Sequence, residues 1–246
     1  MSVDDFQTAD NLSAASFAPV AIASPVEDVA LWFVALSVGD GEYGRMSAWL
    51  SPAEHVRAAR FGREHLRRRY VIGRASLRRA LGEALSLSPA AVPIVRGERG
   101  RPKLDGIGVD FNISHTDKVA LIGIARGARI GVDIERADRE VNADGLARKF
   151  LTPAEQATLA ALSADERRKR FLRYWTCKEA MSKATGEGLS APFRDLSLDL
   201  DGSRITLVMG VAPYEPSHWR LHQGALPSEY IATVALWFDA ERPGPQ

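Results

Sequence analysis

The sequence predicts an α+β fold built from two similar halves, on three observations. Long helical stretches opened by capping patterns alternate with short apolar strands. The segment from Ile130 to Glu135 alternates strictly between apolar and other residues, the period of a half-buried strand. The helix-then-strand order also occurs twice along the chain. At 246 residues, the chain is long enough for one large domain or two small ones sharing an interface. Its 46% hydrophobic and 26% charged content is that of a soluble globular protein. A net charge of +1 describes neither a generic nucleic-acid binder nor an acidic tail.

The elements read as follows. Residues 1–25 mix Ser, Ala, Asp and Asn without periodicity and predict a loose lead-in. Val29–Leu36 reads as a buried strand. Ser51-Pro52-Ala53-Glu54 has the form of a helix start, with a capping Ser, Pro at the first helical position and an acid three residues after the cap. An Arg-rich helical pattern runs from there to Leu85. Pro89 and Pro93 punctuate a loop, and Gly100-Arg101-Pro102-Lys103 reads as a basic turn. Two strands, Val109–Ser114 and Val119–Ala125, flank a His-Thr-Asp-Lys turn. After the alternating strand, residues 147–162 read as two helical pieces, the second opened by Thr152-Pro153-Ala154-Glu155. A strong helix runs from Glu166 to Thr185 and ends at Gly186 and Gly188. Strands follow at Leu196–Leu200, Ile205–Met209, His218–His222 and Tyr230–Phe238.

A shift of 104 residues lays Arg69-Tyr70 on Arg173-Tyr174 and Gly82-Glu83 on Gly186-Glu187. The division this suggests is a lead-in (1–25), an N-terminal half (26–128) and a C-terminal half (129–242), with a ligand site expected at their interface. The single cysteine, Cys177, cannot form an internal disulfide. No basic region followed by an apolar stretch opens the chain, and the apolar run Val29–Val38 is too short to cross a bilayer. A cytoplasmic protein is expected.

The chemistry is concentrated in two places. Asp133 and Glu135, two apart on a strand, project from one face, opposite Ile130, Val132 and Ile134. Glu179 and Lys183 lie one turn apart on a helix, with Trp175 one turn earlier. Each set has a plain alternative, a solvated strand face or a surface ion pair of ~0.3–0.5 kcal/mol. If the three carboxylates converge, they need a cation; a hard divalent ion such as Mg²⁺ suits oxygen ligands and typically serves a phosphate. In Phe111-Asn112-Ile113-Ser114-His115, Ser114 and His115 stand at a strand end, where binding residues are common. The run of arginines from Arg57 to Arg79 reads either as an exposed helical face paired with acids or as a surface for a polyanion or an acidic protein.

In order, Gly-Arg-Pro, Phe-Asn-Ile-Ser-His, Gly-Val-Asp-Ile-Glu and Trp-x-x-Lys-Glu-Ala-x-x-Lys, the set resembles the 4′-phosphopantetheinyl transferase superfamily. The likeness is to its longer, pseudo-twofold class acting on peptide- and polyketide-synthase carrier proteins, and it covers roughly residues 50 to 190. The resemblance implies two α/β subdomains with the active site at their interface. It also implies transfer of 4′-phosphopantetheine from coenzyme A to a serine of an apo acyl or peptidyl carrier protein, with release of 3′,5′-ADP. Asp133, Glu135 and Glu179 match the Mg²⁺-binding acids. Glu179, Lys183 and Asp133 match the catalytic set, with Glu179 the candidate base. Arg69, Arg101, Ser114, His115, Asp133 and Lys183 match the coenzyme A contacts. Where relatives carry two lysines near the start of the first helix, this chain has Glu54 and Arg57. Implied partners are carrier domains of fatty-acid, polyketide or nonribosomal peptide synthases in secondary metabolism, with no nucleic acid, no membrane and a monomeric enzyme. The rival readings are a Mg²⁺-dependent phosphohydrolase using the same acids on water, an Arg-rich RNA-binding module, and a coenzyme A-binding relative without catalysis.

Overall fold

A computed structural model describes residues 20–24, 26–97 and 99–238. The predicted lead-in therefore lies mostly outside the described residues. The elements run β1 (Val20–Ile22), β2 (Val29–Ala35), α1 (Asp40–Ser47), α2 (Pro52–Ala59), α3 (Glu64–Leu85), β3 (Ile94–Arg96), β4 (Pro102–Leu104), β5 (Val109–Thr116), β6 (Val119–Arg126) and β7 (Arg129–Arg136). They continue with α4 (Ala143–Phe150), α5 (Pro153–Ala160), α6 (Ala164–Thr185), β8 (Ser197–Asp201), β9 (Arg204–Met209), β10 (Trp219–Gln223) and β11 (Tyr230–Trp237). The α+β class expected from the sequence is met. Strands form a four-stranded sheet (β1-β2-β6-β5), a five-stranded sheet (β7-β11-β10-β9-β8) and the β3-β4 hairpin.

By contacts the chain forms two compact units. One holds Trp32–Val92 and Asp117–Ala120; the other holds Ala21–Leu31, Pro93–Thr116 and residues 121–238, each range taken over its described residues. Packing thus groups β3, β4, β5 and most of β6 with the C-terminal residues, a different division from a cut at residue 128.

In the smaller unit, the predicted continuous helix is two helices, broken at residues 60–63. The Ser51/Glu54 capping box forms as the sequence indicates, satisfying two N–H groups that a helix start leaves open. Val71, Ile72, Ala75, Leu77, Ala80 and Leu81 of α3 are buried. Glu54 is buried too and accepts hydrogen bonds from Arg74 and from Arg78 Nε (2.7 Å). Arg78 also donates to the carbonyls of Pro89 and Val92, both at 3.1 Å. Glu54 is thus a structural acceptor. Helix α1 was not predicted: it holds two glycines and lacks a side-chain cap. Tertiary contacts support it, since Arg68 donates to Asp40 (2.8 Å) and Val38 O (2.9 Å) and covers the Tyr43 ring at 4.3 Å.

In the larger unit, α6 lies along β7 and β11. Its apolar side joins Phe171, Leu172, Cys177, Ala180, Met181 and Ala184 to Leu196, Leu198, Trp219 and Ala235 in one core. Gly131 on β7 permits this contact: a Cβ there would lie 1.9 Å from Ala180 O and 2.7 Å from Ala184 N. Helix α6 is opened by a Ser163/Glu166 capping box and closed by Gly186 at φ +83°, a conformation glycine adopts without steric cost. The fully buried Lys178 ammonium donates to Glu155 (2.6 Å) and to Phe193 O (2.7 Å). No described helix is long and apolar enough to cross a membrane.

Candidate functional site

Strand β5 carries three inward polar side chains at period two, and all three reach β7. Asp110 accepts from Ile130 N (2.8 Å), Asn112 from Val132 N (3.1 Å), and Ser114 Oγ donates to Asp133 Oδ1 (2.9 Å). Side chains thus take the place of a backbone ladder between strands of two different sheets, and they fix Asp133 against β5. Arg101 locks the near end of this seam. Its guanidinium grips both oxygens of Asp110 (2.8 and 2.7 Å) and donates to Phe111 O, Ile130 O and Lys183 O. Expected on coenzyme A, Arg101 is here committed to internal acceptors. The actual turn before it is closed by Gly97 N donating to Arg101 O at 2.8 Å.

Because α6 approaches β7 so closely at Gly131, its last turn delivers Lys183 to Asp133. The ammonium donates to Asp133 Oδ1 (2.6 Å) and Ser114 Oγ (2.8 Å). Asp133 is 5% exposed, and its other oxygen, Oδ2, is buried with no hydrogen-bond partner. A buried carboxylate oxygen left this way is costly and marks a position where a ligand would be welcome.

Glu135 and Glu179 are half-buried and lie in the field of Asp133. Burial pushes the Glu179 carboxyl above its ordinary pKa; Lys183 opposes the rise and Asp133 adds to it. Burial likewise raises Glu135, Asp133 adds to it, and Arg139 and Lys183 oppose it. The Glu135 carboxylate is hydrogen-bonded to Arg139. Among the described residues, no three His, Cys, Asp or Glu side chains are gathered tightly enough to enclose a metal by themselves. The donor set nevertheless suits a hard divalent cation: three carboxylates in one field, two of them raised in pKa by burial and the nearby charge, and one with an unused buried oxygen.

The remaining candidates are spread more widely. His115 follows Ser114 on the exposed edge of β5. Arg69, in the smaller unit, pairs with Asp117 of the β5–β6 turn at 3.0 Å. Burial pushes the Cys177 thiol up to about 12, so it is no nucleophile. A cavity of about 540 Å³ along β9 and β10, and one of about 310 Å³ beside the β4–β5 loop, are lined by none of the three acids. Asp110 was missed at the sequence level, although its period with Asn112 and Ser114 in an apolar strand was the available signal.

Four motifs meeting at one acid and one lysine define a class, and comparison with known proteins gives the same one. A model of the 4′-phosphopantetheinyl transferase superfamily matches residues 129–235, and a model of the N-terminal part of 4′-phosphopantetheinyl transferase matches residues 39–125. The chain belongs to this superfamily and is an enzyme of that class, moving 4′-phosphopantetheine from coenzyme A to a carrier protein. Among its relatives, the 4′-phosphopantetheinyl transferase HetI of Nostoc sp. is 36% identical over 67% of this chain and 71% of its own length. The phosphopantetheinyl transferase of Thraustochytrium sp. is 30% identical over 86% of this chain and 78% of its own. The 4′-phosphopantetheinyl transferase of Bacillus subtilis is 30% identical over 65% and 70%.

Proposed function

We propose that the transfer is carried out where Asp133 of β7, Ser114 of β5 and Glu179 and Lys183 of α6 meet. The observation that carries this reading is the buried, unpartnered Oδ2 of Asp133 beside the Lys183 ammonium. Asp133, Glu179 and Glu135 would hold Mg²⁺, Glu135 after release from Arg139. When bound, the ion supplies Lewis-acid neutralisation of the pyrophosphate of coenzyme A.

The chain's own side chains supply the rest. Ser114 and His115 would bind phosphate oxygens of coenzyme A, with Arg69 on the nucleotide. Arg101, already committed to Asp110 and three carbonyls, positions β7 and the end of α6. The carrier-protein serine oxygen forms a bond to the β-phosphorus, and the bond from that phosphorus to the bridging oxygen breaks. The serine proton passes to Glu179, directly or through water. Lys183 stabilises the charge on the departing 3′,5′-ADP. This reading includes a monomeric, cytoplasmic enzyme acting on carrier domains of fatty-acid, polyketide or nonribosomal peptide synthases.

Intact-mass spectrometry of an apo carrier protein incubated with this enzyme, coenzyme A and Mg²⁺ tests the reading. The expected result is a gain of one phosphopantetheine. Release of 3′,5′-ADP without carrier protein and without that gain would instead show a phosphohydrolase.

A further inference from the structure

Strand β7 is an edge strand of its sheet, so its outer backbone groups need partners from elsewhere. At Ile130 a single ion pair supplies both. The Ile130 N–H donates to Asp110 Oδ2 (2.8 Å), and its carbonyl accepts from Arg101 Nη2 (2.8 Å). The end of α6 needs a partner too. A regular helix would satisfy the Lys183 carbonyl with the N–H of Glu187. That N–H turns to Ser182 O instead (3.1 Å), and Arg101 Nε takes its place at Lys183 O (2.8 Å).

Asp110 holds the guanidinium through both carboxylate oxygens, the two-point fit that fixes an arginine in orientation as well as in place. All three nitrogens of Arg101 are thus engaged inside the protein. The two side chains are only 11% and 10% exposed. A charge pair so far from water carries a desolvation cost, and pairing Ile130 alone would not call for it. What the pair adds is a fixed distance. It ties β7, three residues before Asp133, to α6 at Lys183, and these are the two side chains that meet at 2.6 Å. A lysine at position 101 would keep the charge but has no planar fork with which to span Asp110 and Lys183 O.

We propose that Asp110 is a positioning residue: through Arg101 it sets the Lys183 ammonium opposite Asp133, and Arg101 serves this clamp rather than coenzyme A. The effect on turnover rests on the transferase reading above; the placement of Lys183 does not. Two measurements on the full-length enzyme test it. The first labels lysines with an amine-reactive reagent in the absence of substrates and maps them by mass spectrometry. Asp110→Asn should raise the labelling rate of Lys183 at least about threefold, while the fully buried Lys178 stays protected and reports a retained fold. The second is steady-state transfer. Asp110→Asn should lower kcat about tenfold or more, as small misplacements at a reacting centre do, with coenzyme A affinity by titration within about threefold of wild type. Arg101→Lys should behave alike, and it carries the test should Asp110→Asn not fold. The double variant should be within about twofold of the slower single, because the two residues act as a unit. Wild-type labelling of Lys183 in the folded variants overturns the proposal, as does an Arg101→Lys enzyme that loses coenzyme A affinity at unchanged kcat. A wild type that never modifies carrier protein, with Lys183 unmasked in the variants as expected, overturns the transferase reading and leaves the clamp standing.

Discussion

Helices α2–α3 and α5–α6 follow one plan, yet the proposed chemistry rests on the second pair alone. Ser51-Pro52-Ala53-Glu54 and Thr152-Pro153-Ala154-Glu155 each cap a helix of 8 residues and precede one of 22. In both, the buried cap glutamate takes a cation from the long helix, Arg78 in one and Lys178 in the other, and each cation also reaches backbone carbonyls. One residue further on, the plans diverge. Arg79 and Glu83 form an exposed pair at 3.2 Å, whereas Glu179 and Lys183 stand in the same order with the charges exchanged and are turned to Asp133. The shared residues are those that build the scaffold; the exchanged ones are those proposed to do chemistry.

The comparison can be broken first at the scaffold. Lys178→Met removes one partner of a buried ion pair and strands Glu155, so it should cost ~3–5 kcal/mol, read from urea unfolding, with activity per folded molecule preserved. Arg78→Met should be destabilising in the same way. A loss under ~1 kcal/mol for both would remove the common plan.

A smaller effect sharpens the parallel. Burial alone would raise the Glu54 pKa, but Ser51 N–H, Arg74 and Arg78 outweigh it and hold it below the ordinary glutamate value. The unfolded chain then binds this proton more readily than the folded one. Its contribution to stability is present above the unfolded pKa and is lost as pH falls through the folded one. Urea midpoints followed from about pH 6 to about pH 3 should fall less steeply in Glu54→Gln than in wild type. The smallest effect belongs to the exposed pair: Arg79→Ala should change stability by only ~0.3–0.5 kcal/mol and leave turnover unaltered.

Much of this was legible because it is local. Capping boxes, the alternation along β7 and the glycine after α6 each depend on residues within one turn or strand. The acids and Lys183 stood out because their spacing places each pair on one face. What stayed hidden depends on distance along the chain. Nothing near Glu155 announces Lys178, and α1, with two glycines, is held by Arg68 from α3. The repeat was visible but misregistered. Matching Arg69-Tyr70 to Arg173-Tyr174 gives an offset of 104, whereas the capping boxes and buried cations align at 101 and 100. Identical side chains drew the alignment, while the equivalent positions, Arg78 and Lys178, share only their charge and burial. Arg101 looked like a phosphate ligand because its five acceptor contacts come from residues 9 to 82 positions away.

The central claim is that Asp133 gathers the catalytic charges. Its direct measurement is carrier-protein modification by folded Asp133→Asn, titrated with Mg²⁺. The account predicts turnover lowered at least ~10²-fold, about 3 kcal/mol of barrier, with Mg²⁺ required at higher concentration. Near-normal transfer at the wild-type Mg²⁺ requirement would contradict it.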